Sequence, residues 1–130
     1  MKSEEFFILQ NMKKSILKEK SYAFAVRIVK LVQHLQENRK EFVLSKQLLK
    51  SGTAIGALVR EAEFGQSKPD FIHKMTIALK EGNETEYWLC LLKDTDYLDL
   101  KLFNSFYQDC GELIAMLVSS IKTAKKSIAK

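Results

Sequence analysis

Proline is almost missing from this 130-residue chain, with Pro69 its single example, and glycine occurs only five times. A β-sandwich or barrel needs turn residues about every 8–12 positions, so this scarcity argues for long helices joined by short links. Cysteine is limited to Cys90 and Cys110. They lie on separate segments and form no CxxC pair, which excludes a cysteine-framed scaffold. Both are expected as buried thiols in a reducing cytoplasm. No apolar run approaches the ~18 residues that span a bilayer. Phe6 to Leu9 follows an acidic Glu4-Glu5 and is too short for a secretory core. The motifs GxxxxGK[ST], GxGxxG, HExxH and GxSxG are lacking too. No nucleotide loop, zinc-protease helix or hydrolase elbow is therefore expected, and the chain reads as non-enzymatic and without a cofactor.

What is present is an ordinary globular balance: 46% hydrophobic and 28% charged residues, enough to bury one core at this length. Apolar residues recur at helical spacing in four stretches. The first runs from about residue 19 to 37, behind a lead-in over 1–14 that is expected to be frayed or only partly helical. Its polar positions, Lys20, Arg27, Lys30, His34 and Glu37, form one narrow stripe. Tyr22, Phe24, Val26, Ile28, Val29, Leu31, Val32 and Leu35 make an apolar arc wider than one bundle seam needs. That width points to a second covered face and so to self-association. The second helix, about 44 to 64, has Leu44, Leu48, Ile55, Val59 and Ala62 in phase. Gly52 and Gly56 interrupt it. Glycine inside a helix costs about 1 kcal/mol relative to alanine, so two of them four apart imply a close helix contact. Ser67 is the expected cap of the third helix, with Pro69 in its first turn. That helix carries Phe71, Met75, Ala78, Gly82, Thr85, Leu89 and Leu92 on one face. The fourth carries Phe103, Phe106, Cys110, Leu113, Leu117, Ile121 and Ala124. Four helices with short links give an all-α, antiparallel up-and-down four-helix bundle in one domain, residues 1–130.

Few groups offer site chemistry. Asp70 and His73 are spaced as a ligand pair, yet a di-iron bundle needs two such pairs plus two carboxylates. His34 has Leu31 where the second acid belongs, so Asp70 reads as a cap and no metal is expected. Glu81 and Glu84 read as a surface patch or ion-pair partners. Charge is more informative. The net charge of +5 divides into +6 over residues 1–50 (eleven Lys or Arg against five acids), −3 over 51–97 (five against eight) and +2 over 98–130 (five against three). Arg27, Lys30, Lys46, Lys50, Lys122, Lys125 and Lys126 are the candidate phosphate contacts. If the first and fourth helices lie side by side, these basic ends of the chain merge into one face. Aromatics are not interleaved with the lysines, so base stacking is not expected to dominate.

Longer strings carry a resemblance. Glu19-Lys-Ser-Tyr-Ala-Phe-Ala-Val-Arg-Ile-Val-Lys-Leu31 resembles the opening helix of the bacterial four helix bundle family, the proteins encoded by intervening sequences in large-subunit ribosomal RNA genes. Ser45-Lys-Gln-Leu-Leu-Lys-Ser-Gly-Thr-Ala-Ile-Gly-Ala57 resembles its second helix. Ser67-Lys-Pro-Asp-Phe-Ile-His-Lys74 and Ala78-Leu-Lys-Glu-Gly-Asn-Glu-Thr-Glu-Tyr-Trp-Leu89 resemble its third. The likeness covers roughly residues 17–126. It implies a homopentamer, and kinship with the accessory variability proteins of diversity-generating retroelements, which are basic and bind nucleic acid and a reverse transcriptase. Leu58 departs from the family's usual asparagine and Gly82 from its usual alanine. Leu58 removes a polar group that the family has at an interface. The expectation is a cytoplasmic, oligomeric RNA- or DNA-binding or scaffold protein. The competing expectation is a protein-binding adaptor whose basic surface only confers solubility.

Overall fold

The computed structural model describes residues 2–129, which fold into four helices: α1 (Lys2–Asn38), α2 (Leu44–Glu63), α3 (Lys68–Asp94) and α4 (Leu100–Ala129). Each packs antiparallel on the next, and α4 closes on α1 through the lightest of the four seams. The predicted up-and-down bundle is the observed one. The expected stripes form its core: Leu48, Ile55, Val59 and Ala62 of α2 meet Met75, Ala78, Leu89 and Leu92 of α3, and Phe103 to Ile121 line α4.

The lead-in differs from expectation. Residues 2–14 continue α1 without a break. Periodicity is weak there because the segment has little to pack on. Lys18 pairs with Glu63 (3.0 Å), the last residue of α2. Residues 2–16 thus run past the end of α2, beside the last turns of α4, and nothing imposes one buried stripe on them.

Two close approaches set the α1–α2 distance. A Cβ added at Gly52 would come within 2.8–3.1 Å of the Ile28 side chain. At Gly56 it would meet the Ser21 backbone, 3.2 Å from the carbonyl oxygen and 3.3 Å from the carbonyl carbon. Ile28 is fully buried and, being β-branched in a helix, has few rotamers to turn to, and the Ser21 backbone cannot withdraw without moving α1. Gly111 of α4 has nothing within 4 Å of such a Cβ and is an ordinary helix-weakening glycine. Between α2 and α3 a buried hydroxyl pair replaces apolar packing. Thr85 Oγ1 lies 3.0 Å from Ser51 Oγ and 2.7 Å from the carbonyl oxygen of Glu81.

The helix ends are closed locally. Glu41, a buried residue, caps α2 from outside it. Its Oε1 accepts from the Ser45 N–H (2.7 Å), and its Oε2 accepts from the N–H groups of Leu44 (3.0 Å) and Val43 (3.2 Å). Ser45 Oγ donates back to the Glu41 carbonyl at 2.8 Å. Ser67 accepts from the Asp70 N–H at 3.2 Å and starts α3 as expected. At the far end, α3 closes with Asp96 in the left-handed region (φ 68°). The Tyr97 N–H then reaches back to the Leu92 carbonyl at 2.9 Å, a Schellman closure. Arg39 donates to the carbonyls of Asp96 (3.1 Å) and Tyr97 (3.2 Å), tying the α1–α2 and α3–α4 turns together.

The two kinds of glycine predict opposite outcomes. Gly56→Leu lowers thermal stability, at the typical overpacking cost of about 1–3 kcal/mol. Gly111→Ala raises it by up to about 1 kcal/mol through helix propensity alone. Paired thermal melts read both signs. A second prediction concerns Glu41. Burial alone would raise its pKa, but the bonds from Ser45, Leu44 and Val43 outweigh that and hold it below its usual 4.5. A lowered carboxylate pKa stabilises the fold above the unfolded value, and that stabilisation is lost as pH falls through the folded value. Glu41→Ala therefore costs about 1 kcal/mol at pH 7, in the range of a lost cap, and much less near pH 3. Urea denaturation at the two pH values measures the difference.

Candidate nucleic-acid interface

The α1–α4 seam is where the basic ends of the sequence were expected to merge. It is instead a ladder of opposite charges. Arg27 Nη1 lies 2.5 Å from Asp109 Oδ2, Arg27 Nη2 donates to Ser105 Oγ at 2.9 Å, and the guanidinium sits 4.0 Å from the centroid of the Phe106 ring. Below it, Lys20 contacts Glu112. Phe24 meets Phe106 edge to face at 6.3 Å. Arg27 is thus committed to holding α4 on α1, and its charge is already matched.

The remaining candidates divide by position. Lys30, Lys46 and Lys50 are exposed. Lys50 sits near enough to Glu81 to act on its carboxyl. Burial and the Glu84 charge raise the Glu81 pKa, and Lys80 and Lys50 oppose them. Lys46 is in the first turn of α2, at the opposite end of the bundle from Lys122, Lys125 and Lys126. Lys122 lies 17 residues beyond Ser105 along α4, about 25 Å at 1.5 Å per residue. The seven candidates therefore do not form one face. Antiparallel packing puts the two basic stretches at opposite ends of neighbouring helices.

A different set of lysines does come together. The start of α1, the start of α3 and the end of α4 share one end of the bundle and enclose a groove of about 350 Å³. Lys13, Lys14 and Lys68 line it, with Ser120, Thr123 and Ser127 opposite. Lys68 Nζ contacts Ser127 Oγ, and Lys14 Nζ lies 5.1 Å from the Phe71 ring centroid. Exposed Lys122, Lys125 and Lys126 lie at the same end of the bundle, on the side of α4 turned away from the groove that Ser120, Thr123, Ala124 and Ser127 line. The ion pairs among the described residues include none of these six lysines. Glu63, also on the groove, is held by Lys18. Sequence reasoning missed Lys13 and Lys14 because they fell in the supposed lead-in, and missed Lys68 because it stands alone in sequence. The signal was topological. In an up-and-down bundle the starts of the first and third helices and the ends of the second and fourth lie together.

Elsewhere the surface offers little chemistry. Cys110 is buried, with its pKa pushed up to about 12 by burial and then by the charges of Glu86 and Asp109; its Sγ faces the Gly82 carbonyl at 3.4 Å. Such a thiol stays protonated and is a poor nucleophile. Cys90 is half-buried, and both cysteines are free. Among the described residues no three His, Cys, Asp or Glu are grouped to hold a metal ion, and no helix is long and apolar enough to cross a membrane. A second, larger groove of about 1060 Å³ runs between α1 and α2, with Tyr22, Ala25, Thr53, Gly56, Ala57 and Phe64 among its lining residues. Tyr22, Val26 and Val29, the outer part of the wide apolar arc, are exposed in the single chain.

The architecture and the strings in α1 to α3 have a known counterpart. The family model for the 23S rRNA-intervening sequence protein matches residues 13–119. The chain belongs to this family. It is also similar to a protein of unknown function from the S23 ribosomal protein family of Bacteroides thetaiotaomicron VPI-5482, known from a crystal structure. The two are 54% identical, with a TM-score of 0.84 over 85% of this chain and 98% of that one. No curated protein matches. Within the family's frame, Leu58 packs half-buried against the core. Gly82 is buried, and an added Cβ there would lie 3.0 Å from Ile114.

The α1–α4 ladder yields a prediction that separates structure from ligand binding. Arg27→Ala removes the ion pair, the Ser105 bond and the ring contact. It lowers stability by about 1 kcal/mol, since the ion pair is partly solvated, and leaves unchanged the salt dependence of the nucleic-acid binding proposed below. Denaturation and binding titrations on the same variant check both halves.

Proposed function

We propose that this chain is a non-enzymatic, self-associating nucleic-acid-binding protein that contacts phosphates through the basic end of its bundle. The observation that carries the reading is that exposed lysines of α1 and α3 line the groove at this end and those of α4 stand on its outer side, with none of the six in an ion pair among the described residues. Lys68 offers phosphate contacts in the groove, with the hydroxyls of Ser120, Thr123 and Ser127 beside it as neutral donors, and Lys122, Lys125 and Lys126 offer them on the outer side of α4. Lysines on flexible stems with no interleaved aromatics suit backbone contact rather than base reading, so RNA or DNA is bound with little sequence preference.

Self-association rests on a separate feature. Tyr22, Val26 and Val29 stand exposed beside the α1–α2 groove, and a contiguous apolar surface of that kind marks an interaction site. The resemblance to pentameric relatives supports a pentamer in the cytoplasm. Repeating the basic end around an oligomer converts weak sites into one of higher avidity. The same apolar groove favours the second reading, an adaptor that docks a protein partner and uses its lysines only for solubility.

Fluorescence-anisotropy titration with mixed RNA and DNA oligomers tests the proposal. Affinity falls linearly with salt on logarithmic axes, and each lysine removed per subunit reduces the slope by about one. Lys122→Glu, Lys125→Glu and Lys126→Glu together abolish binding at low salt. Binding that survives this triple change, or no binding by the unaltered protein at low salt, leaves the adaptor reading. Light scattering that gives a 15.0 kDa monomer overturns the self-association.

A further inference from the structure

The first turns of α1 present an apolar surface that nothing in the chain covers. Phe6 is 57% exposed, Phe7 65%, Ile8 57%, Leu9 53%, Met12 54% and Ile16 42%, all on helical backbone that runs past the end of α2, with Phe7 and Ile8 turned away from the face the other four share. At 100° per residue, the face centred on Leu9 gathers Glu5, Phe6, Met12, Lys13 and Ile16 within about 60° to either side. That is the width of a coiled-coil seam with its flanking charged positions. Its order is self-complementary. Four residues before Leu9 stands Glu5 and four after stands Lys13; three before stands Phe6 and three after stands Met12.

We infer that the α1 arm is a two-fold docking surface for the arm of a second copy of this chain, the two running antiparallel and crossing at Leu9. In that register Leu9 meets Leu9, each Phe6 meets the other arm's Met12, and each Glu5 faces the other arm's Lys13. A two-fold interface must be the same patch on both copies, and a palindromic order of acid, aromatic, leucine, methionine and base meets that condition. Parallel pairing places Glu5 against Glu5 and Lys13 against Lys13 and is disfavoured. An acid and a base at matching distances on either side of Leu9 suit a second copy of the same arm, whereas a lipid-binding amphipathic helix is favoured by a uniformly basic polar face; with lysines at this end of the bundle, an anionic bilayer is the competing occupant that the test separates.

This interface is distinct from the α1–α2 groove, and because a two-fold contact cannot recur within one ring of five, it pairs subunits of two different rings. Most of the arm, up to residue 12, precedes the stretch matched by the family model. It sets the basic ends of two copies side by side, since each arm lies next to its own α4 terminus. It shares Lys13 with the basic groove, but the pairing itself requires no nucleic acid.

The test uses the full chain with Cys90→Ser and Leu9→Cys. Two thiols on the two-fold axis lie within reach of a disulfide, which requires Cα atoms no more than ~7 Å apart. Mild oxidation is expected to give a covalent dimer. Adding Glu5→Lys, or Lys13→Glu, puts like charges across both flanks and lowers the dimer yield about fivefold. Combining both changes in one chain restores it. Mixing the Glu5→Lys chain with the Lys13→Glu chain gives the mixed dimer in preference to either homodimer. Circular dichroism on each variant checks that the bundle is intact. Yields indifferent to the charge pattern, or no disulfide at position 9, overturn the pairing. Flotation of the unaltered protein with phosphatidylcholine–phosphatidylserine vesicles also overturns it, because the arm's apolar face is then a lipid contact. Neither result depends on the Lys122–Lys126 cluster, whose reversal leaves the disulfide yield unchanged.

Discussion

The separation of α1 from α2 is the distance on which the rest of the bundle depends. Gly56 brings α2 against the backbone of Ser21, where even a methyl group would sit 3.2 Å from a carbonyl oxygen. One turn earlier, Gly52 accepts the branched end of Ile28. With the two helices this close, Leu17, Phe24, Ile28, Leu31 and Leu35 of α1 reach far enough inward to be buried. The helix-propensity cost of two glycines, about 2 kcal/mol together, is offset by the apolar area those side chains remove from water. Close approach also turns the outer flank of α1 away from the core and leaves Tyr22, Val26 and Val29 on the surface. The same contact that builds the core therefore leaves an apolar surface on its outer side.

Chain ends are handled by another logic. Helices of 37, 20, 27 and 30 residues cannot end flush. At the end with the α1–α2 and α3–α4 turns, Glu41, Asp96 and Arg39 close the backbone with charge-assisted and left-handed motifs, while Phe42, Val43 and Leu100 stay exposed beside them. At the other end α1 and α4 overshoot α2. Nothing local satisfies the overshoot, so apolar side chains and unpaired lysines remain side by side. Lysine stems lie comfortably along apolar surface while their ammonium groups stay in water, which lets one region carry both the proposed phosphate contacts and the proposed subunit contact.

The four buried stripes were legible because helical periodicity reports burial directly, and Gly52 and Gly56 were legible because a glycine inside a good helix calls for a reason. Ser67 and Pro69 marked the start of α3 for an equally local reason. The lead-in was misread because periodicity registers packing, not helicity; a helix with bare sides shows no stripe. Glu41 was invisible as a cap because it stands three residues before α2, and its role depends on how the turn folds back. Arg27 was grouped with the free cations because a one-dimensional charge count has no record of Asp109, 82 residues away.

Charge counts along a sequence average over just the relationship that decides whether a cation is available. Lys20 and Arg27 belong to the most basic third of the chain, yet both face acids of α4 across the lightest seam. There they complete packing that apolar area alone leaves thin. Lys68, from the acidic middle segment, ends up among the free ones because α3 begins beside the end of α4. What distinguishes the two kinds of lysine is whether antiparallel packing brings a carboxylate to the same level on the neighbouring helix. Along α1–α4 that match is present at residues 20 and 27 and absent beyond Glu112, since α4 carries no acid after that position. The basic end of the bundle is therefore a consequence of where the acids of α4 stop, rather than of where the lysines are most numerous.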